Sequence, residues 1–364
     1  MRQRKLSVLQ VVLLLLTTTV ITNQNIIVPL LLDSAGRDAW FSVLLAFVPG
    51  ILLLGVMKHI MTTTGQEAII PWVKRKFGAF ASTILGLILF LYLFSSSVIA
   101  LKDTTNWVDV TFLPETPGFV IAAALTVICF FAAYAGLWSI TVCAGILLPF
   151  VFVFEGFMVT ANIQFKNFHY MTPMLANGFS PLSDGLIYST NGVLEILILL
   201  LIQQHLKEKV RYSSLLILLI ITVGMILGPL MESIVDFGPA EAARQRFPTF
   251  EQWGLVTLGK NVAHLDFLSI FEWLSGSFIR ISLCMYVMVE LLELKKSAIR
   301  KLILYIITII MFIVPLLPIS DALFVWFLRE FYYSVLLLLI VGVVSLLFLF
   351  SIIVRVKERG SPSQ

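Results

Sequence analysis

Charged residues are scarce in this chain, and their scarcity excludes a soluble protein. Asp, Glu, Lys and Arg make up 13% of the 364 residues, whereas 59% are hydrophobic. A soluble chain of this length carries about 25% charged residues, and no stretch here is polar enough to form a separate soluble domain. The composition predicts an all-α polytopic membrane protein, with residues 1–364 forming a single integral membrane domain.

Cysteine and histidine are few, and their positions argue against catalysis and metal binding. The three cysteines lie inside apolar stretches and the four histidines are dispersed, so neither type shows metal-ligand spacing. The chain also lacks nucleophile–base spacing and a phosphate-binding glycine loop. We expect no catalytic residues, no metal, no cofactor and no enzymatic activity. Nor does the net charge of +4 indicate a nucleic-acid partner, because the topology explains its distribution.

Long apolar runs dominate what is present. A membrane helix needs about 20 mainly apolar residues, and the chain offers ten candidate spans. They are 7–32, 39–60, 78–101, 118–135, 138–163, 183–206, 213–232, 265–291, 300–317 and 330–354.

The basic residues predict the orientation of these spans. With the N-terminus inside, the inner face collects 17 of the 25 Lys and Arg residues, including every strong cluster. Short cytoplasmic loops carry such an excess of positive charge. Ten spans with both termini on the cytoplasmic side are therefore expected. An odd number would place the basic C-terminal tail, residues 355–359, on the opposite side.

Two spans are interrupted by polar residues, and these interruptions suggest a binding site. Span 1 contains a polar run at 22–25 followed by Pro29, and span 6 contains one at 188–192. A broken helix persists in a membrane only where it is buried in protein or lines a cavity, as at the midplane site of many transporters. Each broken span begins a set of five. We therefore predict a five-plus-five inverted repeat, about 7–163 and 183–354, with helices 1 and 6 broken.

The ends of half-helices and the polar side chains beside them suit a small zwitterion such as an amino acid. The alternative is a pair of kinks whose polar residues satisfy freed backbone groups. Small polar residues on spans 3 and 8 could line the same site or could simply pack helices together. The predicted ligand-binding residues are Thr22, Asn23, Gln24, Asn25, Ser189, Thr190, Asn191 and Gly192, with Tyr92 and Ser275 as secondary candidates.

Four charged residues lie well inside predicted spans, away from the span ends, where charge is costly and usually functional. Glu155 lies among phenylalanines in span 5, and it could titrate a proton or pair with Arg280 of span 8. Glu195 follows the interruption of span 6 and could reach the ligand. Glu272 lies in span 8.

Several short segments carry a resemblance to a known family. They are Leu6-Ser7-Val8-Leu9-Gln10, Arg37-Asp38-Ala39-Trp40, Lys76-Phe77-Gly78, Arg246-Phe247-Pro248-Thr249-Phe250-Glu251 and His264-Leu265-Asp266-Phe267-Leu268. On these segments, and on its length and span order, the chain resembles the B subunits of GerA-type spore germinant receptors. That family belongs to the amino acid–polyamine–organocation transporter superfamily.

The resemblance implies a nutrient-sensing subunit in the inner spore membrane. Its partners would be a larger A subunit with soluble domains and a C-subunit lipoprotein, and its ligand a small nutrient, often an amino acid. Two other functions remain open. The chain could be a permease that moves amino acids with protons through Glu155 or Glu195, or a scaffold whose binding site is vestigial.

Overall fold

The structure is a computed structural model that describes residues 4–175, 178–257 and 265–360, without the side chains at 20–23 and 359–360. Within these residues the chain is helical almost throughout and forms no β-strand. In the described part of the chain, nine helical runs are long and apolar enough to cross a membrane, and one of them, Gln24–Thr63, joins the second half of the first span to the next. When the first and second spans are counted separately, these helical runs number ten, which confirms the expected number of spans.

The spans are numbered here in chain order. Span 1 is Val8–Ala35, span 2 is Ala39–Leu45 with Phe47–Thr63, span 3 is Ala79–Thr111, span 4 is Gly118–Ala135 and span 5 is Leu137–Ala161. Span 6 is Ser180–Leu194, the 3₁₀ turn Glu195–Leu197, and Ile198–Ile202. Span 7 is Tyr212–Phe237, span 8 is Phe267–Leu291, span 9 is Ser297–Ile313 and span 10 is Asp321–Phe327, the π-helical turn Leu328–Tyr332, and Tyr333–Gly360.

Spans 6 and 8 lie at the centre of the bundle. In their most apolar 18-residue stretches, 89% and 78% of the residues are buried inside the protein, against 22% in span 9. Span 1 packs against spans 5, 6, 7 and 8, and span 8 packs against span 3. The outer spans turn large apolar side chains outward, as a lipid-facing surface requires. The division into two sets of five spans stays a prediction.

The prediction that helix 1 is broken is wrong. Span 1 is helical from Val8 to Ala35, through the polar run at 22–25 and past Pro29. Polar residues alone do not break a helix, because their side chains can bond within the bundle. Thr17 and Thr19 donate to the carbonyls of Leu13 and Leu15, four residues earlier.

Span 6 does lose regular α-helical geometry, but further along than the sequence suggested. Residues 188–192 belong to the α-helix Ser180–Leu194. The irregular turn is Glu195–Leu197, and a second 3₁₀ turn, Gln203–His205, ends the span. The backbones of Leu6 and Leu206 then pair, with Leu6 N–H donating to the His205 carbonyl at 2.8 Å. This pairing ties the beginning of span 1 to the end of span 6.

A short amphipathic helix, Ile69–Phe77, precedes span 3. Its apolar residues Ile69, Ile70, Trp72 and Val73 are buried, and its last turn carries three basic residues. Such a helix suits the boundary between protein, lipid headgroups and water.

Candidate functional site

A buried ion pair lies where span 6 departs from α-helical geometry. Glu195 begins the 3₁₀ turn of span 6, and Arg280 lies on the facing side of span 8. Arg280 Nη1 donates to Glu195 Oε2 at 2.6 Å, and Nη2 donates to Oε1, so the pair is bidentate. Both residues are 5% exposed. The alternative in which Arg280 pairs with Glu155 is therefore wrong.

Arg280 also joins spans 1 and 3 to this site. Its Nη1 donates to the Thr18 carbonyl at 3.1 Å, and its Nε and Nη2 donate to Ser96 Oγ at 3.1 and 2.7 Å. These bonds and the two to Glu195 engage all five N–H groups of the guanidinium. Four spans therefore meet at one charged centre, and the buried charges are fully paired.

Tyrosines surround the pair. Tyr92, one helical turn before Ser96, interacts electrostatically with both Glu195 and Arg280 and is 1% exposed. Its hydroxyl has no hydrogen-bond partner among the described residues. Tyr332, in the π-helical turn of span 10, shares a 3.3 Å hydrogen bond with Ser95. A buried hydroxyl without a partner is costly, so Tyr92 is a candidate contact for a ligand.

The polar side chains predicted from the two interruptions bond to backbone carbonyls on several different spans. Ser189 donates to the Ser42 carbonyl at 2.9 Å, and Asn191 donates to the carbonyls of Ile187 and Tyr333, both at 2.9 Å. Gln24 donates to the Met225 carbonyl at 3.1 Å.

Thr190 and Ser275 are buried, as are Asn25 and Gly192. The side chains of Thr22 and Asn23 lie outside the described residues.

These contacts favour helix packing for several of the predicted polar residues. Of the polar side chains predicted from the two interruptions, Asn25 and Asn191 each keep an Oδ1 atom without a partner among the described residues. Asn191 lies one helical turn before Glu195 and is 1% exposed. Of the residues predicted from the interruption of span 6, Asn191 therefore has the best placement for a ligand contact.

A second group of carboxylates lies on spans 5, 7 and 8. Glu155 interacts electrostatically with Glu232 and with Glu272. Glu272 is 4% exposed and accepts a 3.2 Å bond from Trp253 Nε1, while its other oxygen has no partner among the described residues. The cation of the group is Lys166, which bonds Glu232 at 3.3 Å. In the described part of the chain, no cation contacts Glu155 or Glu272.

Ion pairs also join the segments around the C-terminal end of span 3. Arg246, in the connection between spans 7 and 8, bonds Asp103 of span 3 at 2.6 Å and Asp321 of span 10 at 2.9 Å. Burial opposes the charge of Arg246, but Asp103 and Asp321 outweigh it and raise the pKa of the guanidinium above its ordinary value. On the same side, Arg329 of span 10 bonds Asp33 of span 1 at 2.5 Å. Sequence reasoning missed this network, although Arg246 stands in a segment that carries the family resemblance.

No group of three His, Cys, Asp or Glu side chains is placed to hold a metal ion in residues 4–175, 178–257 and 265–360. The arrangement offers instead a paired cation and anion, an unpartnered hydroxyl and an amide oxygen, all enclosed by the bundle. Such groups can bind and orient a small polar molecule, and they include no activated nucleophile.

Comparison with solved structures defines the class of protein. The structure of MhsT in complex with L-phenylalanine superposes with a TM-score of 0.65, covering 97% of this chain and 100% of that one, at 11% sequence identity. At that identity the likeness establishes the fold alone. This chain is thus a multi-pass membrane protein with a transporter fold.

Sequence comparison defines the family. The model of the family described as "Spore germination protein" matches residues 5–323. The chain is 38% identical to spore germination protein XB of Bacillus anthracis, over 92% of this chain and 97% of that protein. It is 21% identical to spore germination protein KB of Bacillus subtilis (strain 168), over 69% of each. The chain belongs to the spore germination protein family.

Proposed function

We propose that this chain is the nutrient-sensing subunit of a spore germinant receptor, acting by binding rather than by catalysis. A small ligand such as an amino acid would bind where spans 1, 3, 6 and 8 meet. The observation that carries this proposal is the buried Glu195–Arg280 pair beside the unpartnered hydroxyl of Tyr92. A cation and an anion side by side complement the carboxylate and ammonium of a zwitterion, and L-phenylalanine is the ligand named for MhsT.

The proposed mechanism is a population shift. A ligand carboxylate would compete with Glu195 for Arg280, and its ammonium would take Glu195 or the Thr18 carbonyl as its partner. Because Arg280 bonds spans 1, 3 and 6, such an exchange would change how these spans are held together. The ligand would favour one arrangement only by its differential affinity for the two states.

The assembly and orientation are part of the same proposal. The chain would act with a larger A subunit and a C-subunit lipoprotein in the inner spore membrane, with both termini on the core side. The basic clusters that favour this orientation are in the sequence itself. Tags at Gln3 and Ser363 that reported opposite sides would contradict the orientation, and failure to co-purify with those subunits would contradict the assembly.

Tyr92→Phe is the sharpest test of the ligand site. Because the Tyr92 hydroxyl has no partner among the described residues, its removal should leave protein abundance unchanged. A lost hydrogen bond to a charged ligand group costs roughly 1.5–3 kcal/mol, so the half-maximal nutrient concentration for germination should rise about ten- to a hundredfold.

The matched control is Tyr332→Phe, which removes a hydroxyl that already bonds Ser95. A second control is Leu338→Ala on the outer surface, where the side chain is 74% exposed. An unchanged nutrient dose–response in Tyr92→Phe spores with normal protein levels would place ligand recognition elsewhere.

A proton-coupled permease is the second candidate. It is favoured by the transporter fold and by the carboxylates Glu155 and Glu272, which have no cation among the described residues. Uptake of labelled amino acid by vesicles that contain this chain alone would support the permease. Germination without any uptake would support the receptor.

A further inference from the structure

A large cavity opens on the face of the bundle that carries the N-terminus. Its volume is about 950 Å³, and it lies between the span 4–span 5 turn, the ends of spans 6 and 8 and the beginning of span 9. This cavity is separate from the Glu195–Arg280 site, since neither of those residues lines it.

Positive charge dominates the walls of the cavity. Arg4, Lys295, Arg300 and Lys301 line it, and no Asp or Glu is among the lining residues. None of the four cations forms an ion pair with a carboxylate in the described part of the chain. Like charges held around one space repel each other, and an anion in that space would relieve the repulsion.

Aromatic rings hold two of these cations in place. The guanidinium of Arg4 lies 5.4 Å from the ring centre of Trp138, and the ammonium of Lys301 lies 5.0 Å from that of Tyr134. Both rings also line the cavity. Two residues after Arg4, the backbone of Leu6 pairs with that of Leu206, and this pairing further restricts the position of Arg4. The charges are therefore positioned before any ligand arrives.

Two helices point their N-terminal ends into the same space. Span 5 begins at Leu137 and span 9 at Ser297, and both residues line the cavity. Neither helix has a side-chain cap on its first-turn N–H groups. Free N–H groups and the helix dipole attract anions at such ends.

One residue of the cavity lining bonds a carboxylate. His205 lines the cavity, is 5% exposed and bonds Glu290 at 2.7 Å. Glu290 is the nearby carboxylate, and it faces His205 and Tyr286 and does not line the cavity itself. Arg300 also interacts with Tyr286, but the four basic lining side chains outnumber this one carboxylate, so the field in the cavity stays positive.

We propose that this cavity binds the phosphate group of an anionic ligand, either a phospholipid headgroup or a phosphate-bearing solute. Arg300 and Lys301 on the first turn of span 9, Arg4, Lys295 and the two helix N-termini would hold the phosphate oxygens. A cavity of this size at the end of the bundle admits a whole headgroup. A bound phosphate would link the N-terminal segment before span 1 to the beginning of span 9.

The test uses the full chain purified into phosphatidylcholine nanodiscs with and without phosphatidylglycerol. The variant is Arg300→Gln combined with Lys301→Gln. The matched control is Lys207→Gln combined with Lys209→Gln, two exposed cations of the same face that do not line the cavity. Native mass spectrometry counts retained phosphatidylglycerol, and thermal unfolding is followed against inorganic phosphate in pure phosphatidylcholine.

Basic side chains near an anionic lipid surface add to its binding, so losing two of the four cations should weaken phosphate binding by about tenfold or more. Loss of retained phosphatidylglycerol in the cavity variant, but not in the control, identifies a headgroup site. A phosphate-dependent rise in unfolding temperature that is lost in the same variant identifies a solute site. Equal behaviour of parent, variant and control in both measurements overturns the proposal.

Discussion

The carboxylate of Glu195 and the carboxylates of the Glu155–Glu272 group lie within membrane spans but differ in their partners. Arg280 donates to both carboxylate oxygens of Glu195, and the remaining N–H groups of its guanidinium donate to a backbone carbonyl of span 1 and a hydroxyl of span 3. Glu272 is as deeply buried but receives one indole N–H, and its neighbour Glu155 is another acid. An ionised carboxylate in an apolar interior needs a partner or a proton. The first group has its partner, and we expect the second to depend on a proton.

The largest effect should come from breaking the paired group. Arg280→Met would leave Glu195 as an uncompensated buried charge, which costs about 3–5 kcal/mol. We expect this variant to be nearly absent from spore membranes and to unfold at a clearly lower temperature than the parent. Arg280→Lys should also be poor, because an ammonium cannot reproduce the bonds to Ser96, Thr18 and Glu195 at once.

The double variant Glu195→Leu with Arg280→Met separates stability from sensing. Removing both charges together should recover most of the protein level, since buried ion pairs can be replaced by apolar residues at little cost. The nutrient response should not recover if ligand binds at this pair. Normal abundance of Arg280→Met alone would show that Glu195 has another partner.

A smaller effect is expected at the unpaired group. Glu155→Gln and Glu272→Gln each remove a charge without orphaning a cation, and the amide oxygen introduced by Glu272→Gln can still accept from Trp253. Both variants should accumulate at the parental level. Glu155→Gln should change the nutrient response or its dependence on pH, which is measured by germination over a series of buffers.

Glu155→Leu sharpens the same comparison, because it removes the polar character of the side chain as well as its charge and should damage function more than Glu155→Gln. If both Glu155 variants respond to nutrient like the parent at every pH, the group has no role in sensing. A loss of abundance in Glu155→Gln equal to that in Arg280→Met would mean that Glu155 has a cation after all.

The contrast between these groups also shows what can be read from the sequence. Hydropathy predicted the ten spans, and the cost of charge in lipid singled out Glu155, Glu195, Glu272 and Arg280. The partner of Arg280 could not be predicted, because it depends on which faces of spans 6 and 8 meet. The sequence offered three acids within spans and suggested Glu155 as a possible partner, whereas in the structure Arg280 pairs with Glu195.

The polar runs were harder to interpret for a related reason. Asn, Thr and Ser can break a helix or can bond to it, and the sequence does not distinguish the two. In span 6, Asn191 bonds the Ile187 carbonyl of its own helix, so that regular geometry continues to Leu194. The network of Arg246 with Asp103 and Asp321 was missed because its members are 75 or more residues apart along the chain.

The smallest effect should come from an ion pair that water can reach. Lys74 of the amphipathic helix bonds Glu293 after span 8 at 2.9 Å, close to the 2.6 Å between Arg280 and Glu195. The side chains of Lys74 and Glu293 are 54% and 28% exposed, and exposed ion pairs contribute about 0–1 kcal/mol to the free energy of unfolding. Lys74→Ala should therefore leave abundance and nutrient response unchanged and shift the unfolding temperature little, with the shift vanishing at high salt because counterions screen exposed charges. Glu293→Gln is the control from the other side of the pair. If Lys74→Ala destabilised the protein as much as Arg280→Met, contact distance rather than burial would decide what an ion pair contributes in this bundle.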